Sequence, residues 1–193
     1  MKIISISTAR VAPLNISGFG TKEFVMSGIR KQPVTGLARV VMRGIDGDEQ
    51  ADPSVHGGLD KAVYLYPYEH YAYWQQQRQQ AIGNQPPMTP GMLGENLTTE
   101  GLLETDLWVG DRLQIAEVLL EVTEPREPCF KFAARMGYAQ AVRQMVTSGY
   151  SGVYLKVITT GDIQVGDAIT LIPGAREVSI ASINDRHQKA RRS

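Results

Sequence analysis

Cys129 is the only thiol in 193 residues, and it stands in the stiff, cationic stretch "EPREPCFKF" (124–132). Pro125 and Pro128 restrict the backbone on its N-terminal side. Arg126 and Lys131 put two positive charges within three residues of the sulfur. A proline just ahead of a helical pattern places the thiol at a helix start. Soft sulfur in such a setting is suited to nucleophilic attack or to ligating a soft metal. A cysteine packed in a core would instead be inert, and the segment alone leaves both readings open.

A second candidate is "SVHGGLDKAVYLYP" (54–67). His56 is followed by Gly57 and Gly58, whose bare backbone can approach a ligand closely. Successive N–H groups there could cradle an anion, with Lys61 adding charge. A plain turn beside a surface histidine is the other reading. The pattern is no Walker loop, and no Gly-x-Gly-x-x-Gly occurs. In "GMLGENLTTEGL" (91–102), Gly94 precedes Glu95 and Asn96, a turn presenting two polar side chains. Asn96 either anchors a ligand or closes an Asx-turn. The acidic "GIDGDEQAD" (44–52) lacks the twelve-residue spacing and closing glutamate of a calcium loop.

Composition limits what these residues can be part of. Twenty basic residues balance twenty acidic ones, which gives bulk charge no case for nucleic acid or a membrane surface. One cysteine cannot form an intrachain disulfide or a multi-cysteine zinc site, and three histidines make a histidine-rich site poor in ligands. The N-terminal "MKIISISTARVAP" alternates like a strand and lacks a signal peptide's apolar core. No stretch reaches the ~20 apolar residues of a membrane span. A cytoplasmic location, with the thiol reduced, is the expectation.

The elements that must position the candidates are mostly short strands. "KIISIS", "GLARVVM" (36–42), "KAVYLYP" (61–67), "GVYLKVIT" (152–159) and "DAITLIP" (167–173) alternate or end on turn signals. "RLQIAEVLLEVTE" (112–124) reads as two strands broken near Ala116–Glu117. Val-Gly-Asp opens both "WVGDRLQI" (108–115) and "QVGDAITL" (164–171), so a strand-rich barrel turns similar corners twice. Helices are expected at 67–82, from Pro67, at 129–137, ended by Gly137, and at 138–149, ended by Gly149. "REVSIASIN" (176–184) reads as a last strand, and "DRHQKARRS" (185–193) as a frayed, solvated basic tail.

Taken together, "GIDGDEQADPSVHGGLDKAVYLYPYEHYAYW" (44–74), "GENLTTEGL" (94–102), "VGDRLQI" (109–115) and "PREPCFKF" (125–132) follow the order found in MOSC-domain proteins. These domains are related to the C-terminal part of molybdenum cofactor sulfurase. The chain most resembles the bacterial branch linked to resistance against N-hydroxylated purines, over roughly residues 1–172. The resemblance implies a mainly β fold with flanking helices (α+β), a MOSC-type β-barrel over 1–175, with the last strand and tail at 176–193. It implies the molybdenum cofactor, molybdopterin, with Cys129 as the protein's ligand to the metal, and reduction of N–OH to N–H in small N-hydroxylated substrates. It puts Cys129 and His56 in one pocket, His56 delivering protons.

The cofactor's phosphate needs a cationic cradle, to which Gly57, Gly58, Lys61, Arg126 and Lys31 are assigned, with Asn96 at the pterin edge. No flavin, haem or iron–sulfur motif is visible, so electrons would come from a separate reductase. The alternative is a non-redox carrier that binds the cofactor, or holds sulfur as a persulfide on Cys129, and hands it on. The oligomeric state is left open.

Overall fold

The computed structural model describes residues 1–52 and 57–191. Among these, the strands run β1 (Lys2–Thr8), β2 (Ala12–Asn15), β3 (Phe24–Ser27), β4 (Gln32–Pro33), β5 (Ala38–Val41), β6 (Gly44–Ile45), β7 (Val63–Pro67), β8 (Leu97–Glu100), β9 (Arg112–Ile115), β10 (Val118–Pro125), β11 (Val153–Thr159), β12 (Gly161–Ile163) and β13 (Ile169–Ile172). The helices are α1 (Tyr71–Ile82), α2 (Phe130–Met136), α3 (Ala141–Ser148) and α4 (Ile180–Ala190).

Eight strands form one curled sheet in the order β13-β9-β10-β11-β7-β8-β1-β4. Its neighbours are antiparallel except β7 and β8. That parallel pair needs a long crossover, which α1 and the loop after it supply. The sheet curls until its first and last parts meet. Ile3 donates to the Asp167 carbonyl (3.0 Å), Gly166 to that of Ile3 (2.9 Å) and Ile169 to that of Met1 (3.0 Å). Three short strands (β12-β5-β6) and the β2-β3 ribbon lie in sheets of their own.

Strand β7 explains how the core divides. All five of its residues are buried, and successive side chains point to opposite faces. Val63 and Leu65 join an aliphatic cluster with Ile3, Ile6, Leu113 and Leu155. Tyr64 and Tyr66 join an aromatic one with Tyr71, Trp74 and Phe132. Each fully buried side chain of this size contributes about 1.5–3 kcal/mol relative to exposure.

The mainly β fold with flanking helices is as the sequence predicts, including the break in 112–124, where Ala116 takes a positive φ of 47°. Both Val-Gly-Asp corners share one construction. Gly110 (φ 86°) and Gly166 (φ 96°) turn the chain, while Asp111 accepts from the Trp108 amide (3.1 Å) and Asp167 from the Gln164 amide (2.8 Å).

Three expectations are corrected. Pro67 closes β7, a 3₁₀ turn spans Tyr68–His70, and α1 starts only at Tyr71. The last strand expected at 176–184 is instead the entry to α4. Val109 does donate to the Val178 carbonyl (2.9 Å) and Ile180 to that of Leu107 (3.0 Å). Ser179 then caps a helix by accepting from the Ser182 amide (3.1 Å), and Ile180 and Asn184, one turn apart, form its buried side. The alternation of Val178 and Ile180 hid the three-residue helical step from Ile180 to Ile183. The tail expected to fray is thus a helix through Ala190.

Candidate functional site

Distant segments converge on one cleft of about 100 Å³ that is partly open to solvent. Cys129, Lys31, Lys61, Asn96 and Arg126 all line it, together with Asp48, Gln50, Tyr64, Lys131 and Tyr154. Sheet strands supply the fixed wall, since Tyr64 and Tyr154 project from adjacent β7 and β11. Cys129 is the residue before α2, partly exposed, and its carbonyl accepts from the Phe132 amide (2.9 Å). His56 lies outside the described residues.

The cations differ sharply in what surrounds them. Lys31 is buried, and its Nζ lies 2.5 Å from both carboxylate oxygens of the equally buried Asp48. Burial pulls its pKa down, Asp48 and Glu95 pull it up, and Arg126 adds to the lowering; the net is downward. Arg126 is also buried. Its Nη1 donates to the Leu93 carbonyl, and the guanidinium lies over the Tyr64 ring (4.9 Å) and the Phe132 ring (5.0 Å). Burial works against its charge, but Tyr64, Tyr154 and Cys129 outweigh it and push the pKa up. Burial also pushes the Tyr64 and Tyr154 phenols up, so both stay neutral.

Lys61 is nearer the surface, 3.3 Å from Glu124 and over the Tyr154 ring (5.5 Å). Lys131 makes no ion pair among the described residues, so its charge is available to the cleft. It carries more of the site's free positive character than Lys31, whose charge is paired with Asp48 within the fold.

Asn96 and the glycine pair are engaged internally. The Asn96 amide donates to Asp48 Oδ2 (2.9 Å) and the Ser7 carbonyl (3.2 Å), and accepts from the Tyr64 amide (3.1 Å). It clamps β1, β7 and the Asp48 segment, leaving little bonding capacity for a ligand. The Gly58 amide donates to Gln50 Oε1 (2.9 Å), whose Nε2 donates back to the Lys61 carbonyl (3.2 Å). That N–H is turned to Gln50, not offered to an anion. A Cβ on Gly57 would run into the same Gln50 side chain.

The network beneath went unread in the sequence. Glu95 is fully buried and accepts from Tyr71, from Thr98 Oγ1 (2.9 Å) and from the Gly91 (2.8 Å) and Leu93 (3.1 Å) amides. It fixes the turn that carries Leu93, and through Leu93 the position of Arg126. Asp48 and Gln50 sit in the acidic segment compared above with a calcium loop. Its failed metal spacing was the one signal that these polar residues had another task.

Among the described residues no group of three or more His, Cys, Asp or Glu could cage a metal. The cleft offers a single thiol, so a metal held here must arrive with most of its ligands. A cofactor that brings its own sulfur donors and an anionic tail fits that donor set, with Cys129 as the remaining soft ligand and Lys131 and Lys61 toward the tail.

A family model described as the MOSC domain matches residues 52–170. Uncharacterized protein YflK of Bacillus subtilis (strain 168) is 33% identical over 179 residues, 90% of this chain and 78% of its own length. A protein named Reductase from Gibberella moniliformis (strain M3125 / FGSC 7600) is 35% identical over 153 residues, 77% of this chain but 26% of its own length. The crystal structure of YiiM from Geobacillus stearothermophilus superposes with a TM-score of 0.76 at 30% identity, covering 100% of this chain and 86% of that one.

Proposed function

The chain belongs to the MOSC-domain family, and on that footing we propose that it is a molybdenum-cofactor oxidoreductase reducing N-hydroxylated bases or similar small molecules. The observation that carries this reading is the convergence of the chain's one thiol with Lys31, Lys61, Arg126 and Lys131 on a single cleft. The relative named Reductase lends support, although this chain matches only 26% of it.

Molybdopterin would supply the two-electron chemistry, with Cys129 as the protein's ligand. The protein's own contribution is positioning and charge. Lys131 and Lys61 would pair with the phosphate, while Tyr64 and Tyr154, both neutral, wall the site. Arg126 and the Lys31–Asp48 pair hold the floor and its field. The overall change, R–NH–OH + 2 e⁻ + 2 H⁺ → R–NH₂ + H₂O, consumes two protons. His56 is the proposed proton donor, and a separate reductase the proposed source of electrons.

The test is expression in a host that makes the cofactor, with molybdenum and pterin measured per chain, and turnover of an N-hydroxylated base with a reduced viologen dye. Wild type should carry both in about one-to-one ratio and turn over. Cys129→Ser, nearly isosteric but a far poorer soft-metal ligand, should lose turnover with circular dichroism unchanged. Full activity in Cys129→Ser with cofactor bound sinks the ligand assignment. Cofactor bound by wild type without any turnover would favour the carrier reading instead.

A further inference from the structure

A second cavity, of about 260 Å³, shares no lining residue with the first. It lies where the end of α3, the start of the loop after it, the 3₁₀ turn Glu104–Asp106 and α4 come together. Its wall includes His70, Glu104, Ser148, Tyr150, Asn184 and Asp185.

The wall is built from fixed polar groups. His70 is 7% exposed and Glu104 5%, and His70 Nε2 lies 2.8 Å from Glu104 Oε2. Glu104 Oε1 accepts from the Gly152 amide (2.7 Å), so the carboxylate is held at both oxygens. The His70 ring stacks on Tyr150 at 3.8 Å and 9° and stands edge-on to Tyr66. Asn184 is anchored to the Gly149 carbonyl (3.0 Å) and Ser151 Oγ (3.1 Å).

One ring nitrogen in this wall has no hydrogen-bond partner among the described residues. Among the described residues nothing hydrogen-bonds to His70 Nδ1, and it is not among the sealed orphan atoms of the interior. The ring it belongs to lines the cavity. The Glu104 carboxylate facing Nε2 takes that nitrogen as a donor, so Nδ1 is the ring nitrogen left to meet a ligand, and in the neutral tautomer it is a lone-pair acceptor. The rest of the wall has the same polarity. Glu104 and Asp185 are its carboxylates, and no lysine or arginine lines it. Asp185 is exposed at the mouth and makes no ion pair among the described residues.

We infer that this cavity is a second ligand site, taking a small organic cation that carries N–H donors, of the amidinium or ammonium kind. Nδ1 of His70 accepts one N–H, and the field of Glu104 and Asp185 favours the positive charge. Tyr150 adds an aromatic surface beside the cation. The site is independent of the chemistry assigned to Cys129.

Benzamidine is the probe, with benzoate as its anionic counterpart of similar shape, each titrated into isotope-labelled full-length protein by NMR. Benzamidine should shift the amides of residues 103–105, 148–150 and 181–188 saturably, with millimolar or tighter affinity, and benzoate should not. Ala181→Leu, which fills the wall, should abolish those shifts. Asp185→Asn, an exposed change that leaves the fold intact, should weaken binding several-fold. Absence of saturable shifts overturns the site. So does equal binding of benzoate, or benzamidine affinity that neither variant changes.

Discussion

The two faces of β7 divide the molecule into unlike halves. Toward Val63 and Leu65 the buried hydrophobic cluster is wholly aliphatic, held together by shape. Toward Tyr64 and Tyr66 the interior is aromatic, and buried polar side chains sit around it: Arg126 over the Tyr64 ring, Glu95 bonded to Tyr71, and His70 against Tyr66. Both cavities open on this second side, through Tyr64 in one and His70 in the other. Tyrosine and tryptophan bring apolar area together with a polar handle. An interior built of them can bury charge that an aliphatic one would reject. One strand thus separates the part that makes the protein stable from the part that equips it.

The sharpest way to break that division is Lys31→Ala. It strands Asp48 as a buried carboxylate without its cation, and such losses run to about 3–5 kcal/mol. Urea unfolding should show a drop of that order. A loss below about 1 kcal/mol would mean that the charged side does not depend on its pairing. On the other face, Leu155→Ala removes an aliphatic side chain with no exposure and should cost about 2–5 kcal/mol. The labelling rate of Cys129 by iodoacetamide should stay at the wild-type value. A change in that rate would show that the two faces are coupled.

The smallest effect lies on neither face. Glu121 sits between Arg112 (3.0 Å) and Lys156 (2.7 Å). Burial works against its carboxylate, but the two cations outweigh it and hold its pKa below the usual range. A carboxyl depressed on folding contributes stability that is present above its unfolded pKa and fades as pH falls through the folded one. Glu121→Gln should therefore flatten the acid limb of the stability curve below about pH 4.3, by under about 1 kcal/mol. A difference confined to neutral or alkaline pH would contradict the sign.

The aliphatic half was the legible one. Alternation in "KIISIS" and "GVYLKVIT" announces strands, because only side chains on one face need be apolar. The break at Ala116 and the paired corners at Gly110 and Gly166 follow from turn chemistry local to a few residues. The charged half was legible only in part. Cys129, Lys31, Lys61, Asn96 and Arg126 do reach one cleft. What each side chain is bonded to could not be read, because the partners come from far along the chain: Asp48 for Lys31 and Asn96, and Leu93 for Arg126. Glu95 looked like an exposed turn residue because its four donors are two amides, a hydroxyl and a phenol that fold around it. The pairing of His70 with Glu104 leaves no local pattern at all, and α4 was misread where a one-residue bridge falls on the serine that caps the helix.

The meeting of residues 1–3 with 166–169 also sets an order of events. A ring closed between the third residue and the hundred-and-sixty-seventh cannot shut while a ribosome is still making the middle of the chain. Hairpins such as β9–β10 can pair as they emerge, whereas the edge of β1 at residues 1–3 must wait unpaired for 166–169. Long-range closure of this kind is slow compared with local pairing. During synthesis, β1 is therefore the segment most open to capture by a chaperone or by another nascent chain.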